Sequence, residues 1–355
     1  MFGLFNKKKD LVGIDIGSSS VKLVQLLPGK DGYQLLNVAI VPLPPEAIVD
    51  NSLMDPAAVA EAVKNLVASL GIKTREAACS ISGNAVIIRK IQLQAMSSEE
   101  LEDQIGWEAE QYIPFDIKDV HIDFQILGPD PFDPARMQVL LVASKKEIIN
   151  DYSAVLADAG MQLRVMDVDA FAVQNAFELN YDGGEDVHAL INVGAGVMNI
   201  NVVKGELSLF TRDVQLGGNQ YTEEIQKQLG VDAHEAEQMK LLAAGQQPSG
   251  PLFEVIARVS ESLAQEIRRS VDFYNSSAAG EERIVRVSMC GGCAKMTGLR
   301  EAVAEKLGME VALLNPFERI KYSEKDFDPE YLQEIGPMMA VGVGLAIRRV
   351  GDKLF

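Results

Sequence analysis

Apolar and polar residues alternate in three short runs near the start of the chain, and this two-residue period predicts β-strands. The first run covers residues 11–16 and the second covers residues 21–26. The residues between them, Gly17 to Ser20, suffice for a tight turn, so the two strands are predicted to form a hairpin with a glycine at its bend. A third strand is predicted over residues 33–41.

Further along, apolar residues recur at the spacing of a helix face. Asp55 and Pro56 are typical of a helix start, and Gly71 is typical of a helix end. Ser97 and Glu100 have the capping-box spacing at the start of a second helix. Other elements predicted in the first half are strands at 86–91, 120–126, 137–143 and 164–168 and helices at 98–112, 146–159 and 171–178.

The second half repeats the opening hairpin. Residues 189–196 and the strand at 198–203 match it when Asn192 is aligned with Asp15, which also places Gly194 on Gly17. A repeat at half the length of the chain predicts two duplicated domains and not a solenoid. Predicted elements that follow are helical stretches at 221–244 and 252–274, a strand at 283–289, a helix at 299–307 and a terminal helix at 339–347.

Composition narrows the function class. The net charge of −18 disfavours binding to nucleic acid or to anionic lipid, which carry the same sign of charge. Apolar runs are too short to span a bilayer, and the lysines at 7–9 follow a segment too short for a signal peptide. Three cysteines do not make a disulfide framework, which fits a reducing cytoplasm.

The paired hairpins, a Gly-Gly loop before a late helix and a glycine-containing terminal helix resemble the actin, Hsp70 and sugar-kinase superfamily over nearly the whole chain. Within it the chain resembles the PilM family, the actin-like proteins of the type IV pilus machinery, which are in turn similar to the cell-division protein FtsA. The motifs that carry this resemblance are at residues 13–22, 107–115 and 165–172.

The resemblance implies an α/β fold of two lobes, the actin-like ATPase fold, with an FtsA-like inserted subdomain. The expected segments are a flexible tail at 1–10, first-lobe core at 11–82 and 146–182, the inserted α+β subdomain at 83–145, second-lobe core at 187–220 and 283–335, a helical subdomain at 221–282, and a terminal segment at 336–355 that returns to the first lobe.

The resemblance also implies a site for ATP or ADP with Mg²⁺ between the lobes. Gly17 would let the backbone approach phosphate, which Ser18 and Ser19 would bind, while Lys22 would place a positive charge on the β- and γ-phosphates. Asp15 would hold Mg²⁺ through water. The other residues implied are Gly194, Ala195 and Gly196 as the second phosphate loop, Glu237 and Lys240 at the ribose, and Gly291, Gly292 and Lys295 at the adenosine.

Asn192 departs from the superfamily, which usually has aspartate there. An amide keeps hydrogen bonds but loses the charge, so we expect nucleotide binding with slow or absent hydrolysis, a weak ATPase at most. Plainer interpretations stay open: a polar turn at Asp15, a solvated salt bridge between Glu237 and Lys240, and core or subdomain packing for Trp107, whose alternative is to line a partner groove. The spacing of Cys290 and Cys293 is weak support for a metal site.

For the partner, the resemblance implies the N-terminal tail of the membrane protein PilN, with an Ile-Asn-Leu-Leu-Pro-like motif, bound in a groove between the first lobe and the inserted subdomain. The protein would then be cytoplasmic and held at the inner membrane by that partner, linked to the pilus motor ATPases, with self-association left open. The alternatives are an FtsA-like division protein and a small-molecule kinase of the sugar-kinase type, whose base would be Asp167 or Asp169.

Overall fold

The computed structural model describes residues 11–352 except 50, 131, 246–247 and 279–281, so the predicted tail at 1–10 lies outside the described residues. The elements of the first half, in chain order, are β1 (Val12–Ile16), β2 (Ser20–Gly29), β3 (Gly32–Pro42), β4 (Ile48–Val49), β5 (Ser52–Leu53), α1 (Pro56–Ser69), β6 (Glu76–Ile81), β7 (Val86–Gln94), α2 (Ser98–Ala109), β8 (Val120–Pro129), β9 (Arg136–Lys145), α3 (Lys146–Asp158), β10 (Gln162–Val168) and α4 (Asp169–Asn180).

The second half contains β11 (His188–Val193), β12 (Met198–Lys204), β13 (Leu207–Val214), α5 (Asn219–Leu229), α6 (Ala233–Gly245), α7 (Gly250–Ser277), β14 (Arg286–Cys290), α8 (Leu299–Leu307), β15 (Val311–Leu313), α9 (Pro329–Ile335) and α10 (Ala340–Ala346). Short 3₁₀ turns occur at Gly83–Ala85, Ile117–Asp119 and Gly336–Met339.

Two five-stranded sheets share one topology and form the cores of two lobes. Their strand orders are β10-β6-β1-β2-β3 and β13-β12-β11-β14-β15. In each sheet, the three strands that come first along the chain (β1 to β3 and β11 to β13) pair antiparallel. The two later strands (β6 and β10, β14 and β15) are added in parallel on the other side of β1 or β11. Asp15 lies opposite Lys22 in the first hairpin, and Asn192 lies opposite Asn199 in the second. The predicted duplication and the two-lobed actin-like fold are therefore confirmed.

A third sheet, ordered β7-β9-β8, leaves the first lobe after β6 and returns through α3. Helix α2 covers one face of it with Leu101, Ile105 and Ala109. The predicted capping box is confirmed: Ser97 Oγ accepts from the Glu100 amide, and the Glu100 carboxylate accepts from the Ser97 amide. The interpretation that Trp107 packs into the core is wrong, because its side chain is 77% exposed.

Several predicted elements have different bounds in the structure. The single helical stretch at 221–244 is two helices, α5 and α6, because Gly230 adopts a left-handed conformation (φ +70°) that ends α5. The predicted terminal helix begins as a 3₁₀ turn, and the strand expected at 283–289 is Arg286–Cys290. Strands β4, β5, β6, β13 and β15 and helix α9 were not predicted.

Helices α4 and α10 cross between the two lobes with their backbones in direct contact. A Cβ atom added to Gly344 would lie 1.7 Å from the carbonyl oxygen of Ala172, and one added to Gly13 would lie 2.4 Å from that of Gly342. Around this crossing, buried residues of both lobes share one cluster that includes Ala78, Leu190 and Leu345. Glycine at 344 is thus required for the lobes to join as they do.

We expect Gly344→Ala to destabilise the fold by about 3 kcal/mol or more, because the new methyl group overlaps backbone that cannot move without separating α4 from α10. Gly106→Ala is the matched control: its Cβ would meet only Ile117 Cγ2, at 3.8 Å, and alanine favours the helix by about 0.5–1 kcal/mol. Urea denaturation followed by circular dichroism measures both. A tolerated alanine at position 344 would contradict the crossing described above.

Candidate functional site

A cleft of about 320 Å³ lies between the lobes, where the bends of both hairpins meet. It is lined by thirteen of the predicted site residues: Asp15, Gly17, Ser18, Ser19, Lys22, Asn192, Gly194, Ala195, Gly196, Glu237, Lys240, Gly291 and Gly292. Lys295 does not line the cleft. It lies beside a different cavity, and its Nζ donates a hydrogen bond to the Glu334 carbonyl oxygen at 3.1 Å.

The first hairpin places opposite charges at the cleft. The Gly17 amide donates to the Ser20 carbonyl oxygen at 3.1 Å and closes the bend. Asp15 and Lys22 lie opposite each other across β1 and β2, and their carboxylate and ammonium form an ion pair of 2.9 Å. Their side chains are only 10% and 14% exposed. A metal-bound phosphate group could therefore be met by both charges at once.

The second hairpin approaches the first from the other lobe. The Gly194 amide donates to the Val197 carbonyl oxygen at 3.0 Å, which is the bond that Gly17 makes in the first bend. A Cβ atom added to Gly196 would lie 3.1 Å from the Ser18 Oγ atom. A side chain at position 196 would fill the space between the loops, so glycine keeps open a cradle of two facing turns.

Helix α6 contributes Glu237 and Lys240, which pair at 2.6 Å. The Thr222 hydroxyl donates to the Glu237 carboxylate at 2.7 Å, and Lys240 Nζ donates to the same hydroxyl at 3.1 Å. Lys240 is buried whereas Glu237 keeps 39% of its side chain exposed. The pair is therefore held at the wall of the cleft and is not a freely solvated surface bridge.

The end of β14 and the loop after it bury two cysteines and place two glycines against the cleft. Cys290 and Cys293 are free and buried, and burial raises the pKa of the Cys293 thiol to about 11. Gly291 has φ +92°, and its Cβ would lie 2.4 Å from the Val193 carbonyl oxygen. The described residues contain no cluster of His, Cys, Asp or Glu side chains that could hold a metal ion directly.

Asp169, considered above only as a kinase base, lines the same cleft at the first residue of α4. Burial, together with the negative charge of Asp15, raises the pKa of its carboxyl to about 6. Asp167 does not face the cleft: its carboxylate pairs with Arg348 at 2.5 Å. The sequence signal for Asp169 is its position at the end of a strand, where α4 begins.

Asn192 is the start of a row of side-chain hydrogen bonds that sequence reasoning missed. Its amide donates to Asn199 Oδ1 at 2.9 Å, and the Asn199 amide donates to Asp213 Oδ1 at 2.8 Å. Burial raises the pKa of Asp213, and Asp213 in turn raises that of Asp169. With carboxylates already at positions 15, 169 and 213, an uncharged amide at 192 avoids a fourth negative charge in the same region.

Two observations test whether the cleft suits a nucleotide. The absence of a side chain at Gly196 leaves a space beside the Ser18 hydroxyl. A Cβ atom would fill this space, whereas a phosphate oxygen could occupy it. Lys22 also lines the cleft and brings a positive charge that would attract a phosphate group. The residues present therefore fit a nucleotide phosphate chain.

Comparison with known proteins gives one family. The family model described as "Type IV pilus assembly protein PilM" matches residues 13–350. A chain of the solved PilM-PilN type IV pilus biogenesis complex is 31% identical, with a TM-score of 0.87 over 97% of this chain and 100% of that one.

More distant similarities support the same fold. FtsA of Bacillus subtilis is 25% identical over 66% of this chain, and the chain spans 58% of the length of that relative. MreB5 of Spiroplasma citri, solved bound to ADP, has a TM-score of 0.53 at 9% identity, over 95% of this chain and 94% of that one. Among the described residues, none of the helices is long and apolar enough to cross a membrane.

The raised pKa of Asp169 predicts that the charged form of this carboxyl lowers the free energy of unfolding, by an amount that depends on pH. Because the folded state binds this proton up to about pH 6 and the unfolded chain only up to about pH 4, the stability that it contributes falls as the pH rises between these values. Asp169→Asn should therefore raise the free energy of unfolding at pH 7.5 by about 1–3 kcal/mol, and the gain should vanish near pH 4. Urea denaturation at both pH values measures this, and a variant less stable than the parent at pH 7.5 would refute it.

Proposed function

The chain belongs to the PilM family of type IV pilus assembly proteins, and on that premise we propose that it is an ATP-binding component of the inner-membrane pilus platform that holds the N-terminal tail of PilN. The observation that carries this proposal is the presence of two separate cavities on one frame. One is the interlobe cleft, and the other is a groove between the first lobe and the inserted subdomain.

The groove has a volume of about 450 Å³ and is bounded by β10 and α3 of the first lobe and by β7, β8 and β9 of the subdomain. Strand β10 lies at the edge of the first-lobe sheet, and β8 lies at the edge of the subdomain sheet. Each edge has main-chain groups that a neighbouring strand would otherwise use. An extended peptide could bind there by strand addition.

The side chains of the groove suit a short apolar peptide with a polar end. Val142, Ile149 and Met166 supply apolar contact area, while Asp123 and Arg164 supply charge at its margin. The tail of PilN expected for this family carries two leucines and an isoleucine beside an asparagine and a proline. Its apolar side chains match the former set, and its backbone matches the strand edges. The similarity to a chain of the PilM-PilN complex supports the same partner.

For the nucleotide, the proposed contacts are those that line the cleft. Lys22 and the backbone of both glycine bends would hold the phosphates, and Glu237 with Lys240 would hold the ribose. Mg²⁺, held through water by Asp15, would neutralise phosphate charge. The two loops that belong to different lobes would then share one ligand, so the nucleotide would set the angle between the lobes.

We propose slow hydrolysis at most. Asn192 donates its amide hydrogen to Asn199, so this position offers neither a negative charge nor a base to an attacking water. ATP would then act chiefly as a ligand that stabilises one arrangement of the lobes. Such a protein would stay at the inner membrane through PilN and would pass the state of its cleft to the pilus motor ATPases.

Lys22→Met should weaken binding of Mg-ATP by about 10-fold or more, because it removes a charge-assisted hydrogen bond to phosphate worth roughly 1.5–3 kcal/mol. Lys295→Met, the matched control, should change the affinity by less than about 2-fold, since its ammonium lies outside the cleft and hydrogen-bonds Glu334. Isothermal titration calorimetry of both variants decides the outcome. Equal losses in the two variants would show that the cleft is not the nucleotide site.

Ile149→Lys should weaken binding of a synthetic Ile-Asn-Leu-Leu-Pro peptide by about 10-fold or more, because it places a charge among the apolar side chains of the groove. Ile149 is half-buried and belongs to none of the main cores, so the fold should tolerate the change. Met54→Lys, at an exposed site outside the groove, is the control and should leave peptide affinity unchanged. Peptide that binds Ile149→Lys as well as the parent would exclude this groove.

A further inference from the structure

The row of hydrogen bonds that begins at Asn192 does not end within its own lobe. The backbone amide of Gly83, in the first lobe, donates to Asp213 Oδ2 at 2.5 Å. Gly83 opens the 3₁₀ turn between β6 and β7, which is the point where the chain enters the inserted subdomain. A carboxylate of the second lobe therefore holds the root of the subdomain.

Both ends of this row lie beside a proposed ligand site. At one end Asn192 and Asn199 line the interlobe cleft. At the other end Val86, which follows the Gly83 turn, lines the peptide groove, and Ile81, which precedes the turn on β6, lines both the groove and the cleft. Four groups joined by three hydrogen bonds thus connect the two cavities: the Asn192 amide, the Asn199 amide, the Asp213 carboxylate and the Gly83 backbone amide.

The first-lobe end of the row is built to one geometry. Gly83 has φ +60°. A Cβ atom added there would lie 2.6 Å from the Gln215 Nε2 atom and 2.9 Å from the Asn51 Nδ2 atom. The Asn51 amide also donates to the Ser82 carbonyl oxygen, and Asn51 itself has a positive φ of +64°. Residues of both lobes contact this turn, and Gly83 and Asn51 have left-handed backbone conformations. The turn therefore fits one relative position of the lobes, and a different position would strain its backbone.

The chemistry of Asp213 makes the contact conditional. Burial raises the pKa of this carboxylate, and the hydrogen bonds from Asn199 and Gly83, both of which favour its charged form, counter only part of that effect. If the lobes separate, the bond to Gly83 is lost, and a buried charge keeps only one of its two partners. Separation of the lobes and displacement of the subdomain root are therefore linked through one carboxylate.

We propose that Asp213 is a positioning residue that couples the nucleotide cleft to the peptide groove. A nucleotide that draws the two phosphate loops together keeps Asp213 on Gly83 and so fixes the wall of the groove. Peptide in the groove fixes the same turn and so favours the closed cleft. The proposal rests on the proposed function, and it requires that each ligand bind more tightly when the other is present.

The test is a thermodynamic cycle measured by calorimetry on the full chain. The Ile-Asn-Leu-Leu-Pro peptide is titrated with and without Mg²⁺ and a non-hydrolysable ATP analogue, and the ratio of the two Kd values gives the coupling. We expect a ratio of about 5 to 100 in the parent protein. In Asp213→Asn it should fall to about 1, because the side-chain amide can still accept from Asn199 but its NH₂ group cannot accept from Gly83.

Asp186→Asn is the matched control, since that carboxylate pairs with Arg286 on the exposed surface of the same lobe. It should keep the parental ratio. Asn199→Ser breaks the row one step earlier and should also lower the ratio, so the test survives if Asp213→Asn fails to fold. In Asp213→Asn the affinity for each ligand alone should stay within about 3-fold of the parent, which a general loss of structure would not allow.

The outcomes separate this inference from the proposed function. A parental ratio of 1 with normal binding of both ligands overturns the coupling and leaves the proposed function intact. A ratio that persists in both Asp213→Asn and Asn199→Ser assigns the coupling to another contact and overturns the role of Asp213. Absence of peptide or nucleotide binding in the parent overturns the proposed function and the coupling together.

Discussion

Backbone contact between α4 and α10 is the constraint on which the rest of the molecule depends. One helix carries the chain out of the first lobe and the other brings it back, and they touch where Gly344 faces Ala172. Because two helices at this distance can tilt but cannot drift apart, the sheets keep their strand ends toward one cleft. The facing bends at Gly17 and Gly194 follow from that placement, as does the closeness of the cleft and the groove, which share Ile81 in their walls.

Electrostatics then decides which residues the cleft can carry. Asp15 is neutralised by Lys22. Asp169 and Asp213 have no cation paired with them among the described residues, and the pKa values of both carboxyls are raised. The duplicated hairpin shows the consequence. Where the first lobe has a carboxylate opposite an ammonium, the second has two amides, Asn192 and Asn199, in the same register. At these paired positions the first lobe presents opposite charges to the cleft, and the second lobe presents hydrogen-bonding amides.

Much of this architecture follows from local pattern. The hairpins, the capping box at Ser97 and the residues of both bends are local signals, and the repeat reveals the pairing of lobes without a structure. What the pattern missed depends on distant contacts. Strand β15 has three residues and is defined by its pairing with β14. Asp213 acquires its role from Gly83, 130 positions away, and Lys295 is adjacent to a glycine loop in sequence but is directed elsewhere by Glu334.

The position of the single tryptophan has a spectroscopic consequence. Trp107 lies on α2 of the inserted subdomain, with its ring in solvent and both sheet cores free of indole. Intrinsic fluorescence excited at the indole band therefore comes from that subdomain alone. Its quenching by iodide reports access to one helix face, and global unfolding shifts its emission little because the ring is already wet. The protein carries a built-in optical label on the segment that the lobes would move.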